Sequence, residues 1–222
     1  VMSTWVEVGL QVPDGELHWM VRSEIPSGVG LKSSSAVAAA AVLALADATG
    51  TELETAQVVE VAVRAQFAAG CTVTGSVDDT WAALTLGWKV VNPSVPVAEG
   101  VALEGMWPNP EDWAVFIVER GERTAEIDPQ AFGMAQPNFQ KALMAIQQGA
   151  LDNAMTENGR GVASATRDTA GRKICNDLLV WGARCAAISG SGPSIAFLIP
   201  TVNEAAIDRI LETIEQRGLT VF

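Results

Sequence analysis

Three short stretches carry side chains that could do chemistry. The first is Pro26-Ser27-Gly28-Val29-Gly30-Leu31-Lys32-Ser33-Ser34-Ser35-Ala36, where a Pro- and Gly-bearing turn runs into three hydroxyls. Glycines at 28 and 30 permit backbone angles and close approaches that a side chain forbids. Serines at the start of a helix stand beside unpaired N–H groups and the positive end of the helix dipole, the makings of an anion site for which phosphate is the commonest occupant. The second is Cys71 to Trp81, in which Asp78 and Asp79 adjoin apolar flanks. A carboxylate in such surroundings needs a partner, a metal or a proton. The third is Ser189-Gly190-Ser191-Gly192-Pro193-Ser194, a turn suited to close approach of a phosphate or of another backbone. Taken singly, each also reads as something ordinary: a capped helix after a loop, a pair of first-turn acids, and a hairpin loop. The first is not a Walker loop, because no Gly precedes Lys32.

The elements that position these stretches follow from periodicity and punctuation. Residues 4–12 and 16–24 alternate well enough for two strands joined by a turn at Pro13-Asp14-Gly15, with His18 inside the second. A helix over 35–48 ends at Gly50, and a second spans 52–69 with Thr51 or Glu52 near its start. Residues 84–91 and 113–119 read as strands separated by a connection bearing Pro93, Pro96, Pro108 and Pro110, and a domain boundary falls near Pro110, giving domains 1–110 and 111–222. Helical patterns follow over 128–149, 150–170 and about 169–181. Two apolar strands flank the turn at 189–193, with a helix over 203–217 and a short strand at 219–222 closing the chain. Arg160, Arg167 and Arg172 could meet an anion, though solvated helix faces explain each of them as well.

Composition narrows the classes. The 222 residues are 49% hydrophobic, enough for a real core and against disorder. A net charge of −12 opposes nucleic-acid binding and requires any anion site to be locally positive. No membrane span or secretory signal is read in the sequence. Cys71, Cys175 and Cys185 have no paired metal spacing and are expected to be free thiols in a reducing cytoplasm. With His18 the single histidine, histidine-based triads are set aside.

The order of the three stretches, PSGVGLKSSSA, then TVTGSVDD, then SGSGPS, resembles the superfamily named for galactokinase, homoserine kinase, mevalonate kinase and phosphomevalonate kinase (GHMP). Within it the runs SEIP…GLKSSSA and TVTG..DD are most similar to the archaeal-type shikimate kinases. The resemblance implies an α+β, two-domain fold: an N-terminal α/β domain with a left-handed βαβ unit and a C-terminal ferredoxin-like domain. It implies ATP and Mg²⁺ as cofactors and phosphorylation of shikimate to shikimate 3-phosphate, a step toward chorismate and the aromatic amino acids. Homoserine- or mevalonate-type kinase activity, or a non-catalytic nucleotide- or metabolite-binding role, are the alternatives. By resemblance, Pro26, Gly28, Val29, Gly30, Leu31, Lys32, Ser33, Ser34, Ser35 and Ala36 would hold ATP, with Ser34 the Mg²⁺ hydroxyl. Asp78 stands in the place of the catalytic aspartate, with Asp79 a second candidate for metal or substrate. Thr74, Gly75, Asp79, Ser189, Gly190, Ser191 and Gly192 would face the substrate. Neither nucleic acid nor membrane is implied as a partner.

Two departures stand out. Only 22 residues precede Ser23, fewer than the superfamily's first motif requires, and the sequence is expected to lack that segment. The helix before Thr72 carries Gln66-Phe67-Ala68-Ala69 where related kinases place an acidic Mg²⁺ ligand.

Overall fold

A computed structural model describes residues 1–222 apart from Val73, Thr74, Ser76 and Ala125. The chain forms two compact units, one of Val1–Pro26 and Lys32–Trp107, the other of Ser27–Leu31 and Pro108–Phe222. Sequence places the division near Pro110, whereas in the structure it falls between Trp107 and Pro108 and assigns the short segment Ser27–Leu31 to the second unit.

In the first unit, α1 (Met2–Glu7), α2 (Ser33–Thr49) and α3 (Thr55–Ala68) share a core in which Trp5, Val42, Leu45, Val58 and Ala62 are buried. The Ala-rich inner stripe of α2 consists of Ala38, Ala39, Val42, Leu45 and Ala46 at helical spacing. Gly50, at φ 63°, ends α2 in the left-handed cap that a helix C-terminus favours. At the start of α3 the Glu54 amide donates to Gln57 Oε1 at 2.8 Å, one half of a capping box. Trp81 of the helix α4 (Asp78–Leu84) and Val77 just before it pack against Val59, and β1 (Trp88–Val91) pairs antiparallel with β2 (Val101–Gly105).

The second unit is a four-stranded antiparallel sheet of β3 (Trp113–Glu119), β4 (Cys185–Ile188), β5 (Ile195–Pro200) and β6 (Thr220–Val221), in the order β4-β5-β3-β6. Helices α5 (Ala131–Met134), α6 (Gln136–Gln147), α7 (Leu151–Ala165) and α8 (Thr169–Trp181) lie between β3 and β4 in the chain, and α9 (Glu204–Gln216) lies between β5 and β6. Numbered within the unit this is strand order 2-3-1-4, the ferredoxin-like plan. Its core joins Val118, Ile195, Phe197 and Ile199 of the sheet to Val162, Leu178, Ile210 and Ile214 of the helices. Gly159 lets α7 lie close on β4, since a Cβ there would stand 2.5 Å from the Ala187 Cα.

Several local expectations change. Residues 4–12 and 16–24 are not a hairpin: the first stretch is occupied by α1 and then irregular chain, the second by irregular chain throughout. The alternation of TWVEVGLQV yields to the anchoring of Trp5, fully buried with its indole N–H donating to the Gln11 carbonyl at 2.8 Å. His18 is accordingly exposed rather than in a strand, 3.9 Å from Glu16 Oε2. The expected strand 84–91 shrinks to β1, because its first residue closes α4, and β2 arises inside the stretch expected to be connection only. The strands of the first unit form an antiparallel pair, and a left-handed βαβ unit is absent among the described residues. No helix of the described residues is long and apolar enough to cross a membrane.

Candidate active site

The start of α2 is built differently from the expectation that Ser33, Ser34 and Ser35 cap it. The N-cap is Lys32, in the left-handed region at φ 62° and ψ 30°, and the serines form the first turn. The Lys32 carbonyl accepts from the amides of both Ser35 and Ala36, at 3.1 and 3.2 Å. Helix geometry leaves the Ser33 and Ser34 amides without intrahelical acceptors, and none is found for them among the described residues. Their hydroxyls are likewise unpartnered among the described residues, so Ser34 retains the oxygen that the sequence offers to a metal. Ser35 does not: it is buried, and its hydroxyl donates to Gln66 Oε1 at 2.9 Å.

Gln66 is thereby the centre of a buried relay. Its Nε2 donates to Thr80 Oγ1 at 3.1 Å and to the Ala62 carbonyl at 3.3 Å, and Thr80 is fully buried. The amide at the place of the family's helix acid therefore ties α2, α3 and α4 together, using both its donor and its acceptor.

Asp78 and Asp79 are the first two residues of α4, where acidic side chains complement the helix dipole. Asp78 is exposed and takes part in no ion pair among the described residues. Asp79 is half-buried and meets Lys32 Nζ at 2.5 Å through Oδ2. Burial pushes the Asp79 carboxyl above its ordinary value, the charge of Asp78 adds to this, and the Lys32 ammonium opposes it. Gly75 stands at φ 70°, and a Cβ there would come 2.7 Å from the Phe67 ring. The expectation for Thr74 lies outside the described residues.

In the second unit, Val29 and Gly30 pack with the Ser189–Ser194 turn, and Gly28 lies beside Glu122 and Arg123. The Gly28 carbonyl accepts from the Arg123 amide at 3.2 Å, that of Val29 from the Ser194 amide at 3.1 Å, and that of Gly30 from Ser189 Oγ at 3.0 Å. A Cβ at Gly30 would lie 2.4 Å from the Gly192 carbonyl oxygen. The close approach that selects glycine at 30 is thus of chain to chain. Ser191 Oγ and the Gly192 carbonyl accept from Arg123 Nη2 at 2.6 and 2.7 Å. The Ser189 hydroxyl thus engages Gly30, the Ser191 hydroxyl and Gly192 carbonyl engage Arg123, and Gly190 supplies a left-handed turn at φ 54°.

Two arginines beyond the sequence reading hold this assembly. Arg123 keeps a buried Nε without an acceptor among the described residues, and burial draws its guanidinium pKa down. Arg120 donates to Asp168 from both terminal nitrogens, at 2.5 and 2.9 Å, and to the Pro193 carbonyl at 3.0 Å. Asp168 also caps α8 by accepting from the Gly171 amide at 2.8 Å. Burial favours the neutral form of Asp168, but the Arg120 hydrogen bonds and charge and the Gly171 N–H together hold its carboxyl below the ordinary 3.8. Charge alternation in Glu119-Arg120-Gly121-Glu122-Arg123, directly after an apolar strand, is the signal that could have flagged both arginines.

The sign of the Asp168 shift fixes a pH dependence. The stability contributed by this ion pair is fully present above pH 3.8 and is lost as the pH falls through the depressed value beneath it. Replacing Asp168 by Asn is expected to cost roughly 1–3 kcal/mol at neutral pH by leaving Arg120 short of its charged acceptor. Urea melts as a function of pH check this: the gap between wild type and variant holds from pH 5 to 8 and narrows below about pH 4, and a gap that widens on acidification contradicts it.

Burial also pushes the thiols of Cys175 and Cys185 up to about 12, which removes both as nucleophiles at neutral pH. Arg160 is engaged by Glu157 at 2.5 Å, as a helix-face residue commonly is.

Residues 4–87 match the family model of the GHMP kinases N terminal domain. A shikimate kinase of Methanothrix thermoacetophila is 34% identical over 188 residues, 82% of this chain and 61% of that protein. One from Methanococcoides burtonii is 28% identical over 206 residues, 91% of this chain and 68% of that protein. The chain thus spans about two thirds of the length of these relatives. The homoserine kinase of Cytophaga hutchinsonii superposes with a TM-score of 0.61 at 20% identity, over 90% of this chain and 66% of its own, a likeness of fold. Residues 4–87, which hold the glycine-rich turn, the serine-led helix and the acidic pair, thus match the GHMP kinase N-terminal model, and the chain is similar to shikimate kinases along most of its length.

Proposed function

We propose that this protein transfers the terminal phosphoryl group of ATP to a hydroxyl of shikimate, giving shikimate 3-phosphate. The observation that carries the reading is the similarity to archaeal shikimate kinases along 80–91% of the chain, at 28–34% identity. The site chemistry supports it. Phosphoryl transfer asks a protein for positioning and for compensation of negative charge, not for covalent chemistry. Ser33 and Ser34 offer amides at the start of a 17-residue helix, and Lys32 adds a cation, a donor set that fits phosphate oxygens. The residues also fit Mg²⁺, a hard cation content with few protein oxygens: Ser34 would hold it, and the ion would supply neutralisation of the phosphate charge. Among the described residues no cluster of three or more His, Cys, Asp or Glu forms a dedicated metal cage.

Asp78 orients the acceptor hydroxyl and takes its proton as the bond to phosphorus forms. Exposure of its carboxylate at the first residue of α4 leaves it accessible to a substrate, while the neighbouring Asp79 is occupied by Lys32. In the second unit, Arg120 and Arg123 hold the turn 189–194 in shape.

Coupled ADP release tests the substrate, with full-length protein offered shikimate, homoserine and mevalonate in turn. Turnover is expected with shikimate. Turnover of mevalonate or homoserine in its place overturns the substrate while keeping the kinase, and ATP binding without ADP formation on any acceptor overturns the kinase.

A further inference from the structure

We propose that Asp79 is a positioning residue for Lys32, which it aims at the donor phosphates, and that Asp79 is a ligand of neither metal nor substrate. The proposal rests on the kinase reading above and deepens it.

The first observation is conformational. Lys32 sits at φ 62° and ψ 30°, where a side chain is disfavoured and glycine is not. A lysine at such a position points to a use for its side chain. The second is the contact. Lys32 Nζ reaches Asp79 Oδ2 across 47 positions of sequence, with the two side chains 32% and 23% exposed. A carboxylate already neutralised by an ammonium is a weakened ligand for a divalent cation. An ammonium held on one side by a carboxylate keeps two further N–H groups for other acceptors.

The third is the frame around the pair. Ser35 lies three residues after Lys32, and Thr80 is the neighbour of Asp79; Gln66 accepts from the first and donates to the second. The buried relay and the ion pair therefore cross-tie the start of α2 to the start of α4 at two points. Gln66, a neutral amide, is engaged by Ser35, Thr80 and the Ala62 carbonyl, and Lys32 has Asp79 as its described partner. In a chain of net charge −12, an anion site needs such a fixed local cation beside the open Ser33 and Ser34 amides.

ATP binding to the full-length protein, measured calorimetrically without acceptor, separates this role from a purely structural one. Asp79→Asn and Lys32→Gly are each expected to weaken ATP binding roughly tenfold, as loss of an aimed charge-assisted contact does. The double variant is expected to bind no more weakly than Lys32→Gly. The Mg²⁺ concentration for half-maximal binding is expected to stay unchanged in Asp79→Asn. Lys32→Gly is expected to melt no lower than wild type, because relief of the left-handed residue offsets a partly exposed ion pair. Additive losses overturn the proposal, as does an Asp79→Asn variant with normal ATP affinity and a raised Mg²⁺ requirement. A Lys32→Gly variant that melts lower but binds ATP normally makes the pair structural and overturns it too. Wild type that binds ATP but leaves shikimate untouched overturns the substrate reading alone, and wild type that does not bind ATP overturns both.

Discussion

Asp78→Asn is expected to lower kcat for the proposed shikimate phosphorylation by roughly 10²- to 10⁴-fold, the range for loss of a positioned general base, while KM for ATP is expected to move by less than about threefold. Asparagine keeps the volume of the side chain and remains acceptable in the first turn of α4, so the helix starts as before. What disappears is the capacity to take a proton. Because the Asp78 side chain is exposed and outside the ion pair, its removal leaves the Lys32–Asp79 contact and the Ser35–Gln66–Thr80 relay in place. Steady-state kinetics at saturating ATP make the measurement. A kcat within a few fold of wild type would remove Asp78 from the mechanism. Asp79→Asn is expected to do the reverse, acting on ATP affinity more than on turnover.

Gly30→Ala is the second large effect, and it falls on stability. The added Cβ would stand 2.4 Å from the Gly192 carbonyl oxygen and 2.5 Å from its carbon, at a residue with φ 86°. Backbone cannot yield as a flexible side chain does, so the two glycine-rich segments separate. The Ser189–Gly30 and Ser194–Val29 hydrogen bonds are strained with them. Overpacking and the disfavoured φ together cost roughly 2–5 kcal/mol. Gly28→Ala is the internal control: it shares the positive φ, at 77°, but its Cβ would meet only the Glu122 side chain at 3.8 Å and beyond. Urea denaturation of both variants is expected to place Gly30→Ala well below Gly28→Ala. Equal losses would mean that backbone conformation, not the approach to Gly192, selects glycine at 30.

Where local chemistry and tertiary packing ask for the same thing, the fold was legible in the sequence. The helix α2 reads from its small apolar residues and its Gly50 stop, β3 from an unbroken WAVFIVE run, and the β4–turn–β5–α9–β6 succession from apolar strands around a glycine-rich turn. The stretch 4–12 did not read correctly, because its period-two pattern favours a strand locally while burial of Trp5 decides for a helix. The strand β2 was hidden because VALEG is short and enclosed by prolines and glycines.

The candidate site divides along a similar line. Glycine turns, serines and paired acids are local signals, legible in the sequence itself. The cap at Lys32 was not foreseen, since serine is the commoner cap and lysine in the left-handed region is rare. Gln66, Arg120, Arg123 and Asp168 act through partners 14 to 73 residues away, and a single sequence carries no sign of such pairings. Gln66, where related kinases place an acid, bridges Ser35 and Thr80, 31 and 14 positions away.

The most direct measurement follows the phosphoryl group itself: full-length protein with Mg²⁺, shikimate and ATP labelled at the terminal phosphate. The label is expected on shikimate, as shikimate 3-phosphate, in step with ADP formation. Label recovered only as inorganic phosphate, or transferred to mevalonate or homoserine but not to shikimate, would contradict the proposed activity.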